Sequence, residues 1–184
     1  MRYYLVDRIL EAVPGRSLRA VKFLTLGEEY LADHFPGFPV LPGVFMLQAL
    51  TEAGAWLLRV TDDFAHSVTV LREARNVKYG TFVVPGSRLD LEVELTRRQG
   101  DTAVLKGRGS VAGNVTVSAQ LTLVSYNLRD RLPSAADRDQ RLAQHWRDHY
   151  ALLRGDLRPA SEYAPGPGEP ADRASGPTEE RVQR

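Results

Sequence analysis

The 184-residue chain contains no cysteine, which excludes disulfides, thiolate nucleophiles and cysteine-ligated metals. It also lacks charge of one dominant sign. The formal net charge is +1, with 15 Lys/Arg against 14 Asp/Glu in residues 1–130 and 9 against 9 in residues 131–184. Neither part has the excess that drives electrostatic binding to nucleic acid. Long apolar runs are missing too. Asp7 and Arg8 interrupt the opening MRYYLVDRIL, and no stretch approaches the ~18 apolar residues of a membrane span. No signal peptide and no membrane insertion are expected, and a cytoplasmic location is the default.

What is present suits a folded domain with an appendage. Hydrophobic residues make up 43% of the chain, enough for a core. Residues 3–13 and 17–25 read as strands around a Pro14–Gly15 turn. An ordered loop from Asp33 to Gly43, with three prolines and two glycines, precedes a helix expected from about Val44 to Arg59. Nearly every face of that helix is apolar, and its small residues would admit a sheet packed closely around it. Strand patterns follow at Ser67–Leu71, Arg75–Tyr79, Arg88–Arg97, Thr102–Val111 and Asn114–Val124. LDLEVEL is the clearest, with Leu89, Leu91, Val93 and Leu95 alternating with acidic residues. GRGSVAG lacks the strand–turn–helix setting of a nucleotide loop and reads as a hairpin. The pattern is α+β.

Beyond Tyr126 the composition changes. Pro133–Ser134 should open a helix ending near Arg154, with Ser134 and Asp137 at capping-box spacing. Its stripe of Leu142, Trp146, Tyr150 and Leu153 would anchor it to the domain. Residues 161–184 hold four prolines, three glycines and many charges, a composition expected to be disordered. His145 and His149 stand four apart without an acidic ligand to complete a metal site, so no metal is expected, and His66 reads as structural.

Chemistry concentrates in HFPGFPVLPGVFMLQAL, from His34 to Leu50. A histidine can take and return a proton near neutral pH. The helix start after it would direct the backbone N–H groups of Gly43 and Val44 at a developing oxyanion, and Gly43, without a side chain, would let a carbonyl group approach. Pinning the loop through hydrogen bonds is the plainer role for His34.

This segment resembles the active-site region of the beta-hydroxyacyl carrier-protein dehydratases of fatty acid synthesis, a hot-dog-fold family. The resemblance covers roughly residues 1–125. YLVDRILEAVPG resembles the family's opening strand, GEEYLADHFPGFPVLPGV its approach to the helix, and VKYGTFVVPGSRLDLEVEL its later strand–turn–strand. Asp33 and Ser87 depart from the usual glycine and aspartate. The larger departure is Gln48, which occupies the position of the family's acidic residue. A neutral amide orients a hydroxyl or a water but is no ordinary general acid. Glu52 lies one turn further along the same face, so acid and amide look exchanged. An ion pair across a dimer interface, or solvent contact, is its other reading.

The resemblance implies a long central helix wrapped by a curved antiparallel sheet in residues 1–128, to which the periodicity and composition add a helical extension in 129–160 and the tail in 161–184. It implies no cofactor, and a homodimer, or a hexamer built as a trimer of dimers. Histidine and acid would come from different subunits and line an acyl tunnel. Phe35, Phe38, Leu41, Phe45 and Met46 suit a tunnel, and core packing explains them equally well. The partner would be an acyl carrier protein bearing a phosphopantetheine-linked acyl chain, with Arg72, Arg75, Lys78, Arg88, Arg97 and Arg98 as contacts. The expected activity is dehydration of a (3R)-hydroxyacyl thioester to the trans-2-enoyl form, with His34 as base, Glu52 as acid and Gln48 orienting. Two rivals stand beside it. One is a non-catalytic thioester-binding subunit partnering an active paralogue, the other a hot-dog thioesterase in which His34 activates water.

Overall fold

The computed structural model describes residues 4–35 and 37–156. Six strands form one antiparallel sheet: β1 (Arg8–Val13), β2 (Ser17–Phe23), β3 (Val68–Tyr79), β4 (Arg88–Gln99), β5 (Thr102–Val111) and β6 (Asn114–Tyr126). Their order across the sheet is β1-β2-β4-β5-β6-β3, so β1 and β3 are its edges. A central helix, α1 (Gly43–Thr61), lies against the sheet, and a second, α2 (Ala136–Arg154), follows it. The long helix wrapped by the sheet is the hot-dog architecture. The tail at 161–184 and residues 157–160 lie outside the described residues.

Packing explains why α1 is apolar nearly all round. Ala49, Leu50, Ala53 and Leu57 are fully buried, as are Leu89, Leu91, Leu105, Leu121 and Leu123 on the facing strands. Gly54 sets the approach distance, because a Cβ there would stand 2.9 Å from Leu123 Cδ1. The polar ends are pinned as well. The Gly15 N–H in the β1–β2 turn donates to Thr61 Oγ1 at 2.8 Å. Asp7 accepts the Phe23 N–H and pairs with Lys22, which Glu28 also holds at 2.7 Å. Burial alone would lower the Lys22 pKa, and these two carboxylates reverse that to a net rise.

Several boundaries differ from the sequence reading, each for a local reason. The first strand starts at Arg8 rather than residue 3, because the Leu5 N–H donates to Glu52 Oε2 on α1 instead of to a strand. The two strands expected at Ser67–Leu71 and Arg75–Tyr79 are one, β3, running on through register shifts at Leu71/Glu73 and Arg75/Lys78, with Asn76 at φ 52°. Such bulges absorb extra residues while the ladder to β6 continues. The capping box at Ser134 and Asp137 does not form. Ser134 sits in a 3₁₀ turn, Pro133–Ala135, and α2 begins with no side-chain cap.

Asp139 fastens α2 instead. Its carboxylate accepts hydrogen bonds from the Ser67 hydroxyl and from the N–H groups of Leu128 and Arg129. Trp146 Nε1 donates to the Ser67 carbonyl at 2.9 Å, and Leu153 is buried. The anchoring expected of the Trp146–Leu153 stripe is present. Among the described residues no helix is long and apolar enough to cross a membrane.

Candidate active site

The loop carrying His34 is held at both ends. A 3₁₀ turn, Glu29–Leu31, precedes it, and the Leu41 N–H donates to the Val83 carbonyl at 2.8 Å beyond it. Between them Phe35 takes a left-handed φ of 52°, and its carbonyl accepts the Phe38 N–H at 2.7 Å. Non-glycine residues adopt such a φ rarely and often near functional sites. The His34 ring is half-buried, packs edge-on against Phe35 at 4.5 Å and forms no side-chain hydrogen bond among the described residues. The loop-pinning role therefore finds no bond to rest on, and both imidazole nitrogens remain open for chemistry.

At the start of α1 the Pro42 carbonyl accepts the N–H groups of Phe45 and Met46. No side chain caps the helix, so the N–H groups of Gly43 and Val44 have no acceptor among the described residues. Unmet N–H donors at a helix start are the kind of group that stabilises an oxyanion. The room left by the missing Gly43 side chain is bordered by the Tyr79 ring of β3, which a Cβ would meet at 3.2 Å.

The tunnel candidates divide by environment. Leu41 and Met46 belong to the core, Phe45 is half-buried and packs edge-on with Tyr30, and Phe35 and Phe38 are exposed. Phe38 meets Phe82 edge-on. The basic residues divide too. Arg75, Arg88 and Arg98 pair with Glu73, Asp90 and Asp62. Arg72, Lys78 and Arg97 form no ion pair among the described residues.

Gln48 and Glu52 come together on a cavity of about 440 Å³ between α1, β3 and α2. Gln48 is exposed at its mouth, and Glu52 is half-buried. Burial pushes the Glu52 carboxyl above the usual glutamate range, against the opposing pull of the Leu5 N–H, Arg59 and Trp56. A carboxyl that holds its proton more firmly is better suited to act as an acid. His34 does not line this cavity within one chain, so the single protomer keeps base and acid candidates apart.

Sequence reading missed Arg59, which lines the same cavity. It stands two turns after Glu52, on the same face of α1. That spacing was visible, whereas burial of the face beneath α2 was not. Burial pulls the Arg59 guanidinium down to about 10 while Glu52 opposes this, so it stays charged at neutral pH. Trp56 and Trp146 flank it, with ring centroids 5.0 and 4.0 Å from Cζ. His149 stacks between Trp56 and Tyr4.

Known proteins agree with this architecture. Residues 1–120 match the family model described as the FabA-like domain. The chain is 34% identical over 120 residues to the 3-hydroxyacyl-[acyl-carrier-protein] dehydratase FabZ of Clostridium acetobutylicum, covering 65% of this chain and 85% of that one. It is 39% identical over 113 residues to the FabZ of Myxococcus xanthus, covering 60% and 74%. Among solved structures, the dehydratase heterocomplex ApeI:P from Xenorhabdus doucetiae superimposes with a TM-score of 0.58 at 18% identity, covering 72% of this chain and 90% of that one. α2 lies beyond the residues that the family model matches. On its first two thirds, this chain belongs to the FabZ/FabA-like family of hot-dog dehydratases, whose members act in fatty-acid and lipid thioester chemistry.

Proposed function

We propose that the protein dehydrates a (3R)-hydroxyacyl thioester carried by an acyl carrier protein, with a two-protomer site. His34 of one protomer removes a proton from C2, and the N–H groups of Gly43 and Val44 stabilise the charge that develops on the thioester oxygen. The C3–O bond then breaks, Glu52 of the other protomer gives its proton to the departing hydroxyl, and water leaves as the C2=C3 double bond forms. Proton exchange with solvent returns His34 to its free form and Glu52 to its acid form. Gln48, at the cavity mouth, orients the hydroxyl.

The observation that carries this reading is the desolvated Glu52, whose carboxyl pKa burial raises, on the same cavity as Gln48. It supplies an acid one turn from the position where the resemblance places one. The exposed β3 edge supports pairing with a second copy, since it presents Val70, Leu71 and Tyr79 to solvent.

Two observations favour a second reading. Gln48 replaces the expected acid, and the structural neighbour ApeI:P is a heterocomplex. In that reading the chain is a thioester-binding subunit whose acid comes from a paralogous partner. Incubation with a 3-hydroxyacyl carrier-protein thioester, resolved by intact mass spectrometry, separates the readings. Enoyl product from the protein alone, lost in His34→Ala and Glu52→Gln, supports the displaced acid. Saturable binding without turnover supports the subunit, and release of a free thiol supports hydrolysis.

A further inference from the structure

Arg59 carries a charge that no group among the described residues meets with a hydrogen bond. It is 7% exposed, and its Nε is buried without an acceptor. Among the described residues it forms neither a hydrogen bond nor an ion pair within contact distance. The Trp56 and Trp146 rings offer their faces, which attract a cation but accept nothing in the plane of the guanidinium fork. Glu52 attracts it through space only. His145 and His149, the other titratable groups packed nearby from α2, add positive charge when protonated. A buried guanidinium with idle donors is a costly arrangement, and the cavity is where an acceptor would fit.

The geometry of the cavity says which part of a ligand would reach Arg59. Gln48 and Arg59 both line it, eleven residues apart on α1, which is roughly 16 Å along the helix axis. Gln48 marks the end near the reacting carbons, so Arg59 marks the end near the far terminus of the acyl chain. Leu142, His145 and Trp146 of α2 line the cavity, and the Trp146 ring lies against Arg59. We propose that Arg59 binds a carboxylate at the distal end of the acyl chain, so that the substrate is the mono-thioester of a 3-hydroxy dicarboxylic acid. A guanidinium matches a carboxylate with two parallel N–H···O bonds, which a methyl terminus cannot offer. This rests on the assignment of the Gln48–Glu52 face as the acyl site.

The chain's two tryptophans, Trp56 and Trp146, both line the cavity, so intrinsic fluorescence reports its occupancy independently of catalysis. The full chain is titrated with pantetheine thioesters of saturated medium-chain acids ending in methyl, hydroxyl or carboxylate. None of these can be dehydrated. The carboxylate probe is expected to bind at least about tenfold more tightly than the methyl probe. Arg59→Met should erase that margin and Arg59→Lys should keep part of it. Equal or tighter binding of the methyl probe, or a preference for the hydroxyl probe, overturns the proposal on the wild-type protein alone, whatever the folding of the variants. Loss of turnover on 3-hydroxyacyl substrates with the carboxylate ranking intact would instead count against dehydration while leaving the Arg59 site standing.

Discussion

At the scale of single residues, Glu52 carries two separable predictions. Its folded pKa lies above the unfolded one, because burial outweighs the Leu5, Arg59 and Trp56 contributions. The stability this group contributes is therefore complete below the ordinary glutamate range and is lost as pH rises through the folded value. Glu52→Gln imitates the protonated form and still offers an oxygen to the Leu5 N–H. Its melting temperature should exceed the wild type's at pH 7 and converge with it near about pH 4. In the same variant turnover should fall about 10²- to 10⁴-fold, the usual worth of a general acid. A gain in stability coupled to a loss of rate identifies a group held for chemistry, and calorimetry beside a steady-state assay reads both. His34→Ala should lose a similar factor with little change in melting temperature, since the ring is half-exposed and forms no hydrogen bond among the described residues.

Residue types and spacing made part of this legible. The His34 loop, the Gly43 helix start and the Gln48/Glu52 exchange all lie within one contiguous stretch. Burial of Glu52 did not, because the groups that shape its environment include Leu5, which is 47 positions away, and α2 beyond the domain. Arg59 was hidden for the same reason. Its spacing from Glu52 was plain, but a charged residue at a helix end ordinarily faces water.

At the scale of elements, α1 and β4 to β6 followed their periodicities, whereas β3 did not break where its pattern weakened. A strand ladder tolerates bulges that a sequence pattern reads as ends. α2 was foreseen as a helix anchored by an apolar stripe, yet the polar tie at its start was expected from a Ser134–Asp137 capping box that does not form. Asp139 does that work through two nearby backbone N–H groups and the Ser67 hydroxyl, which lies 72 positions away. Burial pushes its pKa up, and the hydrogen bonds from Ser67, Arg129 and Leu128 outweigh this, leaving it below the usual aspartate range. The sign is opposite to that of Glu52. Docking of α2 draws its stability from the ionised form, which is fully available above the ordinary aspartate range and lost as pH falls through the folded value. Acid should therefore release α2 while far-ultraviolet dichroism still reports the sheet. A red shift of the Trp146 emission on lowering pH would show it. Asp139→Asn should bring the same shift at pH 7, because its amide hydrogens cannot accept from the donors that the carboxylate satisfied.

At the scale of the whole molecule, the question is whether one protomer contains a complete site. β3 is a twelve-residue edge strand with Val70, Leu71 and Tyr79 exposed, and a long edge of this kind is normally covered. A two-fold pairing would cover it and create two equivalent sites per dimer. Val70→Asp should weaken that pairing, seen as a shift from dimer to monomer in sedimentation with a parallel loss of activity. The sharper test mixes two inactive proteins. If His34 and Glu52 act across the interface, a hybrid of His34→Ala with Glu52→Gln has one doubly altered site and one intact site. After subunit exchange at equal amounts, half of the dimers are hybrids, and activity should return to roughly a quarter of the wild-type value. If both residues served the same protomer's site, every site in the mixture would carry one substitution and no activity would return. The monomer's separation of His34 from the Glu52 cavity favours the first outcome.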